Sequence, residues 1–140
     1  MLADMNQFSS LQFCYRSDLG FFVVRWLSDS TFPTLQAEYE AVLANAHAHR
    51  TERWLLDVRQ RSTPTIEIAN WVTYNWLPRA AAALVPARLR LAYLVSAERA
   101  EFIRTDPALQ TNMQDALAPN RHYDIHLFGE EAEALHWLTS

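Results

Sequence analysis

Residues 21–58 read FFVVRWLSDSTFPTLQAEYEAVLANAHAHRTERWLLDV, and this stretch decides the fold. Phe21–Leu27 is a β-branched and aromatic run, apolar on both faces except at Arg25, which is the composition of an interior strand. Ser28–Thr31 then offers helix caps, and Pro33 suits a first helical turn, where its missing N–H is harmless. Leu35, Tyr39, Val42, Leu43 and Ala46 recur at helical spacing with Gln36, Glu40 and Asn45 between them. Arg50 lies near the C-terminal end, where a cation complements the helix dipole. The short link Thr51–Arg53 leads into Trp54–Val58, a second apolar strand. A strand, a helix and a strand joined by short links predict a parallel pair with a right-handed crossover.

The same grammar continues on both sides. Upstream, Leu11, Phe13 and Tyr15 alternate with Gln12, Cys14 and Arg16, so Leu11–Arg16 is predicted as a half-buried strand. Ser17-Asp18-Leu19-Gly20 is a turn that folds it back antiparallel on Phe21–Leu27, with Gly20 supplying any positive φ. Downstream, Pro64 precedes a helix over roughly Ile66–Leu84, which Pro78 is expected to kink or divide. Leu89–Val95 is the fourth strand, with Leu89, Leu91, Tyr93 and Val95 on one face. Ser96 caps a helix from Ala97, which breaks at Asp106-Pro107 and restarts, ending at Pro119-Asn120. Tyr123–Phe128 is the fifth strand, and Gly129 turns the chain into a last helix, Glu130–Leu138. The expectation is a single α/β domain over residues 1–140, with a mixed, mostly parallel five-stranded sheet in the order ββαβαβαβα. One sheet face should be well covered and the other only partly.

Composition narrows the function. With 140 residues, half of them hydrophobic and a fifth charged, the chain has room for one core. Its net charge is −4 with no run of like charges, which argues against a nucleic-acid partner. All 12 basic residues are Arg, so a catalytic lysine, a Schiff base and a P-loop lysine are excluded. The two glycines, Gly20 and Gly129, belong to no phosphate-cradling loop, and no nucleophile elbow occurs. No apolar stretch is long enough to span a bilayer, and no secretory leader opens the chain. The single Cys14, in a core or edge position, forms no internal disulfide, which fits a reducing cytoplasm.

Candidate chemistry is sparse. His47 and His49 diverge on their helix. His122 and His126 share a strand face but stand roughly 13 Å apart at ~3.3 Å per residue, so no metal and no cofactor are expected. Asp57 stands out because it closes a strand at the end where open α/β sheets place their ligand sites. Arg59, Arg61, Ser62, Thr63 and Thr65 follow in the connecting loop, which presents one acid, two cations and three hydroxyls at a helix start. The acid could equally cap loop amides. Trp71 and Tyr74, three apart and so on one helix face, could anchor a partner, line a pocket or pack in the core.

The order of elements, with Trp54-Leu55-Leu56-Asp57 closing the third strand, resembles the STAS and SpoIIAA-like family of bacterial proteins, in particular its short stand-alone members. That resemblance runs over about Leu11 to Leu138 and implies a mixed sheet with helices, related to the lipid-binding SEC14-like fold. The best-known members antagonise anti-sigma factors by protein–protein contact and carry an Asp-Ser-Ser-Gly-like motif after the third strand, one Ser being phosphorylated. Asp57 matches its Asp. Val58, Arg59, Gln60 and Arg61 match nothing in it, its Gly is missing, and Ser62 and Thr63 fall several positions late, so the phospho-switch does not carry over. The resemblance implies a non-enzymatic regulatory or protein-interaction domain of a bacterial cytoplasm, working through the loop after Asp57 and the next helix. A homodimer is also expected, from the partly covered sheet face and the aromatic-rich composition. The alternative is a carrier or sensor of a small apolar ligand or lipid. An internal pocket would favour the alternative, and an exposed flat apolar patch beside Arg59 and Arg61 would favour the partner.

Overall fold

The computed structural model describes residues 8–119 and 122–140. Strands β1 (Leu11–Arg16), β2 (Phe21–Trp26), β3 (Arg53–Asp57), β4 (Leu89–Leu94) and β5 (Tyr123–Phe128) form one sheet in the order β1-β2-β3-β4-β5. The first pair is antiparallel and the other three are parallel. This is the expected α/β architecture with a mixed five-stranded sheet. Within the β1–β2 turn Gly20 takes φ 75°, a conformation that side-chain-bearing residues adopt reluctantly.

Helices α1 (Phe32–Ala48), α2 (Ile66–Trp71), α3 (Leu77–Leu84), α4 (Ala97–Thr105), α5 (Pro107–Leu117) and α6 (Glu131–Thr139) fill the connections. Thr31, Thr65, Ser96 and Asp106 cap α1, α2, α4 and α5 through side-chain oxygens that accept backbone N–H groups. α1 ends with Arg50 at φ 53°, the Arg50 N–H donating to His47 O and the Thr51 N–H to Ala46 O. That is the pairing of a Schellman cap, with arginine where glycine is usual.

The helix expected over Ile66–Leu84 is divided just before Pro78, which stands in the first turn of α3. The division is a π turn, Val72–Trp76, between α2 and α3 rather than a break in the chain's helical course. The Leu77 N–H reaches back five residues to Val72 O. In an α-helix the Pro78 ring would crowd the carbonyl of Tyr74 and leave it without its donor. The wider turn just before Pro78 accommodates both problems.

Strand alternation divides the core. Phe22, Val24, Trp26, Trp54, Leu56, Leu89, Leu91 and Ile125 face one way, against Leu35, Tyr39, Val42 and Ala46 of α1 and Trp76, Leu77 and Ala80 of the central helix. Phe21, Val23, Leu55, Ala92 and Leu94 face the other way, against Ala134 and Leu138 of α6. Fully burying each large side chain contributes about 1.5–3 kcal/mol, so the larger cluster dominates the stability. One face is therefore roofed by the crossover helices and the other by α6 alone, as the half-alternating strands imply. On β1 the residues of that second face, Gln12, Cys14 and Arg16, are exposed. Among the described residues no helix is long and apolar enough to cross a membrane.

Candidate functional site

Asp57 and Arg59 lie on the α6 side of the sheet. Parallel register sets Asp57 beside Arg25 of β2. Arg25 Nη1 donates to Asp57 Oδ2 at 2.8 Å, and its Nη1 and Nη2 donate to Glu131 Oε1 and Oε2 at 2.8 and 2.9 Å. Arg59 Nε and Nη2 grip the two Asp57 oxygens at 3.0 and 2.9 Å, and the Arg59 backbone N–H donates to Oδ1 at 3.1 Å. Arg59 also reaches Glu131 Oε1 at 3.3 Å. Burial alone would raise the Asp57 carboxyl, but the bonds from Arg59 and Arg25 outweigh it and hold the group below the ordinary range. Glu131 is lowered chiefly by Arg25. Two cations and two anions thus close on one another and clamp the first turn of α6 to the sheet. Their charges are spent.

The loop then crosses to the other side. Ser62 is exposed and bound to Asp29, its N–H donating to Oδ1 at 2.9 Å and its hydroxyl to Oδ2 at 2.6 Å. Arg61 turns inward and is only 8% exposed. Its Nε lies 3.5 Å from Asp29 Oδ1 and makes no hydrogen bond among the described residues. The Thr63 hydroxyl is buried and finds no hydrogen-bond partner among the described residues. Trp71 and Tyr74 part company, because the π turn reduces the rotation per residue and positions three apart no longer align. The Trp71 ring, partly buried against the core, meets Tyr39 and Phe32 edge-on, whereas Tyr74 is 53% exposed and donates its hydroxyl to Asp115. The sequence candidates therefore do not converge on one site.

The structure brings Arg61 instead to a cavity of about 50 Å³ between the helix-covered sheet face and α2, α4 and α5. Tyr93, Ile125 and Leu127 form its floor, and Ile68, Val72 and Leu109 lie opposite. Its polar part lies at the carboxyl ends of β3 and β4, the position that open α/β sheets use for ligands. There Arg61 meets Arg99 and the hydroxyl pair Tyr39–Tyr93, whose oxygens are 3.0 Å apart. Arg99 Nη1 is buried and finds no acceptor among the described residues. Burial depresses the Arg99 guanidinium below its ordinary value, with Arg61 adding like-charge repulsion. Burial also raises both phenols, Tyr93 well above the usual range, so both stay protonated near neutrality. Asn112, also at the cavity, is occupied by bonds from Thr73 and to Asn70. No nucleophile–base pair lines the space, and among the described residues no three His, Cys, Asp or Glu side chains group around a point fit for a metal ion.

No family model, curated protein or solved structure matches this chain.

The site is thus defined by its own geometry, and the sequence reading missed half of it. Arg99 and the tyrosine pair were not singled out. One signal was available: Ser96 caps α4, which sets Arg99 in the first turn, where the helix dipole disfavours a cation. Another was Tyr93, a hydroxyl-tipped side chain on an otherwise apolar strand face beside that turn.

Proposed function

We propose that this chain is a non-enzymatic, small-molecule-binding domain, a sensor or carrier of the STAS and SEC14-like type. The observation that supports the reading best is the cavity at the carboxyl ends of β3 and β4, apolar over most of its wall and polar at one end. Ligand sites generally combine an apolar lining with a few placed polar groups. The size favours a small molecule over a lipid. A cavity of ~150 Å³ holds benzene, and this one, at about 50 Å³, is a third of that. A screen of small apolar and amphipathic compounds by ligand-detected NMR tests the reading, with Ala116→Phe as the blank because Ala116 is buried on the cavity wall. Binders lost in the blank are expected. A screen whose every contact persists in Ala116→Phe would refute the proposal.

A second reading, a regulatory protein-contact surface, is favoured by the loops at the same end of the sheet. Leu27 and Ile66 are exposed apolar residues, and the Asp29–Ser62 bonds tie their two loops together. The Asp57–Arg59 pair, already saturated by Arg25 and Glu131, contributes to such a surface only by holding the loop. If this surface is a contact, Leu27→Asp abolishes co-purification of one defined protein while leaving the fold intact. An unchanged set of co-purifying proteins would dismiss it.

A further inference from the structure

Around the polar end of the cavity, hydrogen-bond donors outnumber acceptors. Arg99 Nη1 and Arg61 Nε are buried donors without a hydrogen-bond partner among the described residues. The Tyr39–Tyr93 pair carries two hydroxyl protons and uses one for its mutual bond, so whichever oxygen donates, one proton remains to be given. The nearby carboxylates are engaged. Asp29 gives both oxygens to Ser62, and Glu38 behind Tyr39 accepts from Trp26 and from the hydroxyls of Ser10 and Ser30. Asn112 is paired with Thr73 and Asn70. Two guanidinium groups set against one partly exposed aspartate leave an excess of positive charge. Arg99 is also held where both burial and the α4 dipole oppose its charge. A buried unpaired donor is costly, more so when charged, so two such guanidinium nitrogens beside a spare hydroxyl proton call for an anionic acceptor that neither Asp29 nor Glu38 supplies.

Resting on the ligand-binding reading above, we propose that the cavity binds a small organic carboxylate, its carboxylate on Arg61, Arg99 and the tyrosine pair and its short apolar tail between Ile68, Leu109 and Ile125. A carboxylate offers two oxygens with about four acceptor positions, which match the unpaired donors, and arginine is the side chain suited to it. The volume, a third of one that holds benzene, limits the tail to a single methyl group. Inorganic phosphate shares the anionic chemistry but has no part that benefits from an apolar wall.

The test is a titration followed by amide NMR in chloride-free buffer, reading Arg61, Val95 and Arg99, with acetate, acetamide, ethanol and inorganic phosphate as probes. Acetate is expected to shift these amides saturably, and acetamide to bind at least tenfold more weakly. Arg99→Met and Arg61→Met should each weaken acetate by at least tenfold, the amide spectrum showing directly that each variant is folded. Acetamide or ethanol binding as tightly as acetate would overturn the anion assignment and leave the ligand-binding reading standing. Phosphate saturating below acetate would overturn the carboxylate assignment, as would acetate binding unaffected by both arginine substitutions. If no probe shifts these amides, the carboxylate site is refuted, and the screen with the Ala116→Phe blank decides the broader reading separately.

Discussion

Replacing Asp57 by alanine removes the acceptor on which one loop and two strands converge. The side chain is 9% exposed and receives four hydrogen bonds, three from Arg59 and one from Arg25. Hydrogen bonds to charged groups each contribute roughly 1.5–3 kcal/mol, and stranding a fully buried partner costs about 3–5 kcal/mol. Here the arginine side chains are 30% and 40% exposed, so water recovers part of what the carboxylate gave. Arg25 also keeps its two bonds to Glu131. The expected loss is about 2–3 kcal/mol at pH 7, or roughly 6–12 °C in Tm for a domain of this size. The pH dependence has a definite sign. The folded carboxyl lies below its ordinary value of 3.8, so its contribution is complete above that value and fades as pH falls through the folded one. Urea unfolding of wild type and Asp57→Ala at descending pH should show a gap that is flat from neutrality to about pH 5 and narrows in acid. A gap below about 1 kcal/mol at pH 7, or one that stays constant in acid, would show that the clamp contributes little and that Asp57 must be explained another way.

Other consequences are simpler to check. Ser62→Asp forfeits the hydroxyl bond to Asp29 and sets a second negative charge against it, so it should lower stability by about 1 kcal/mol in thermal unfolding, rising at low salt. Arg50→Gly should stabilise the fold by about half a kcal/mol, because the left-handed conformation costs a side-chain-bearing residue ~1–2 kcal/mol while glycine's extra chain entropy returns ~0.5–1. Denaturant midpoints would show it, and a fall in stability would mean the arginine side chain contributes at that corner. Cys14, exposed on the outer face of β1, should react stoichiometrically with a thiol reagent in the native protein. A reaction seen only after denaturation would place something over that face.

The fold was legible because its signals are local and repeated. Leu11–Arg16 and Tyr123–Phe128 have the bounds their alternation predicts, and Thr31, Ser96 and Asp106 cap where they should. At Pro78 the division of the helix was legible but its form was not, since the ring is absorbed by a π turn just upstream rather than by a break. The site was read in half. Asp57 marks the right end of the sheet, but a sequence does not say which side of the sheet each residue of the following loop will take. Asp57 and Arg59 went to α6, and Arg61 went to the cavity. Its counterpart Arg99 stands 38 residues further on in the next crossover, and only the pairing of β3 with β4 brings the two loops together.

The sequential strand order has a consequence for how the chain is made. Each strand pairs with the one synthesised just before it, so no strand leaving the ribosome has to wait for a distant partner. The sheet grows by one crossover at a time, and β2, α1 and β3 can bury Phe22, Trp54 and Leu35 together before β4 exists. Such near-neighbour pairing keeps loop-closure costs small and favours rapid folding. The opposite face obeys another schedule. Phe21, Val23 and Leu55 are laid down early, yet their cover, α6, follows β5. For most of synthesis that apolar face is bare, and it is the surface on which a chaperone would be expected to act.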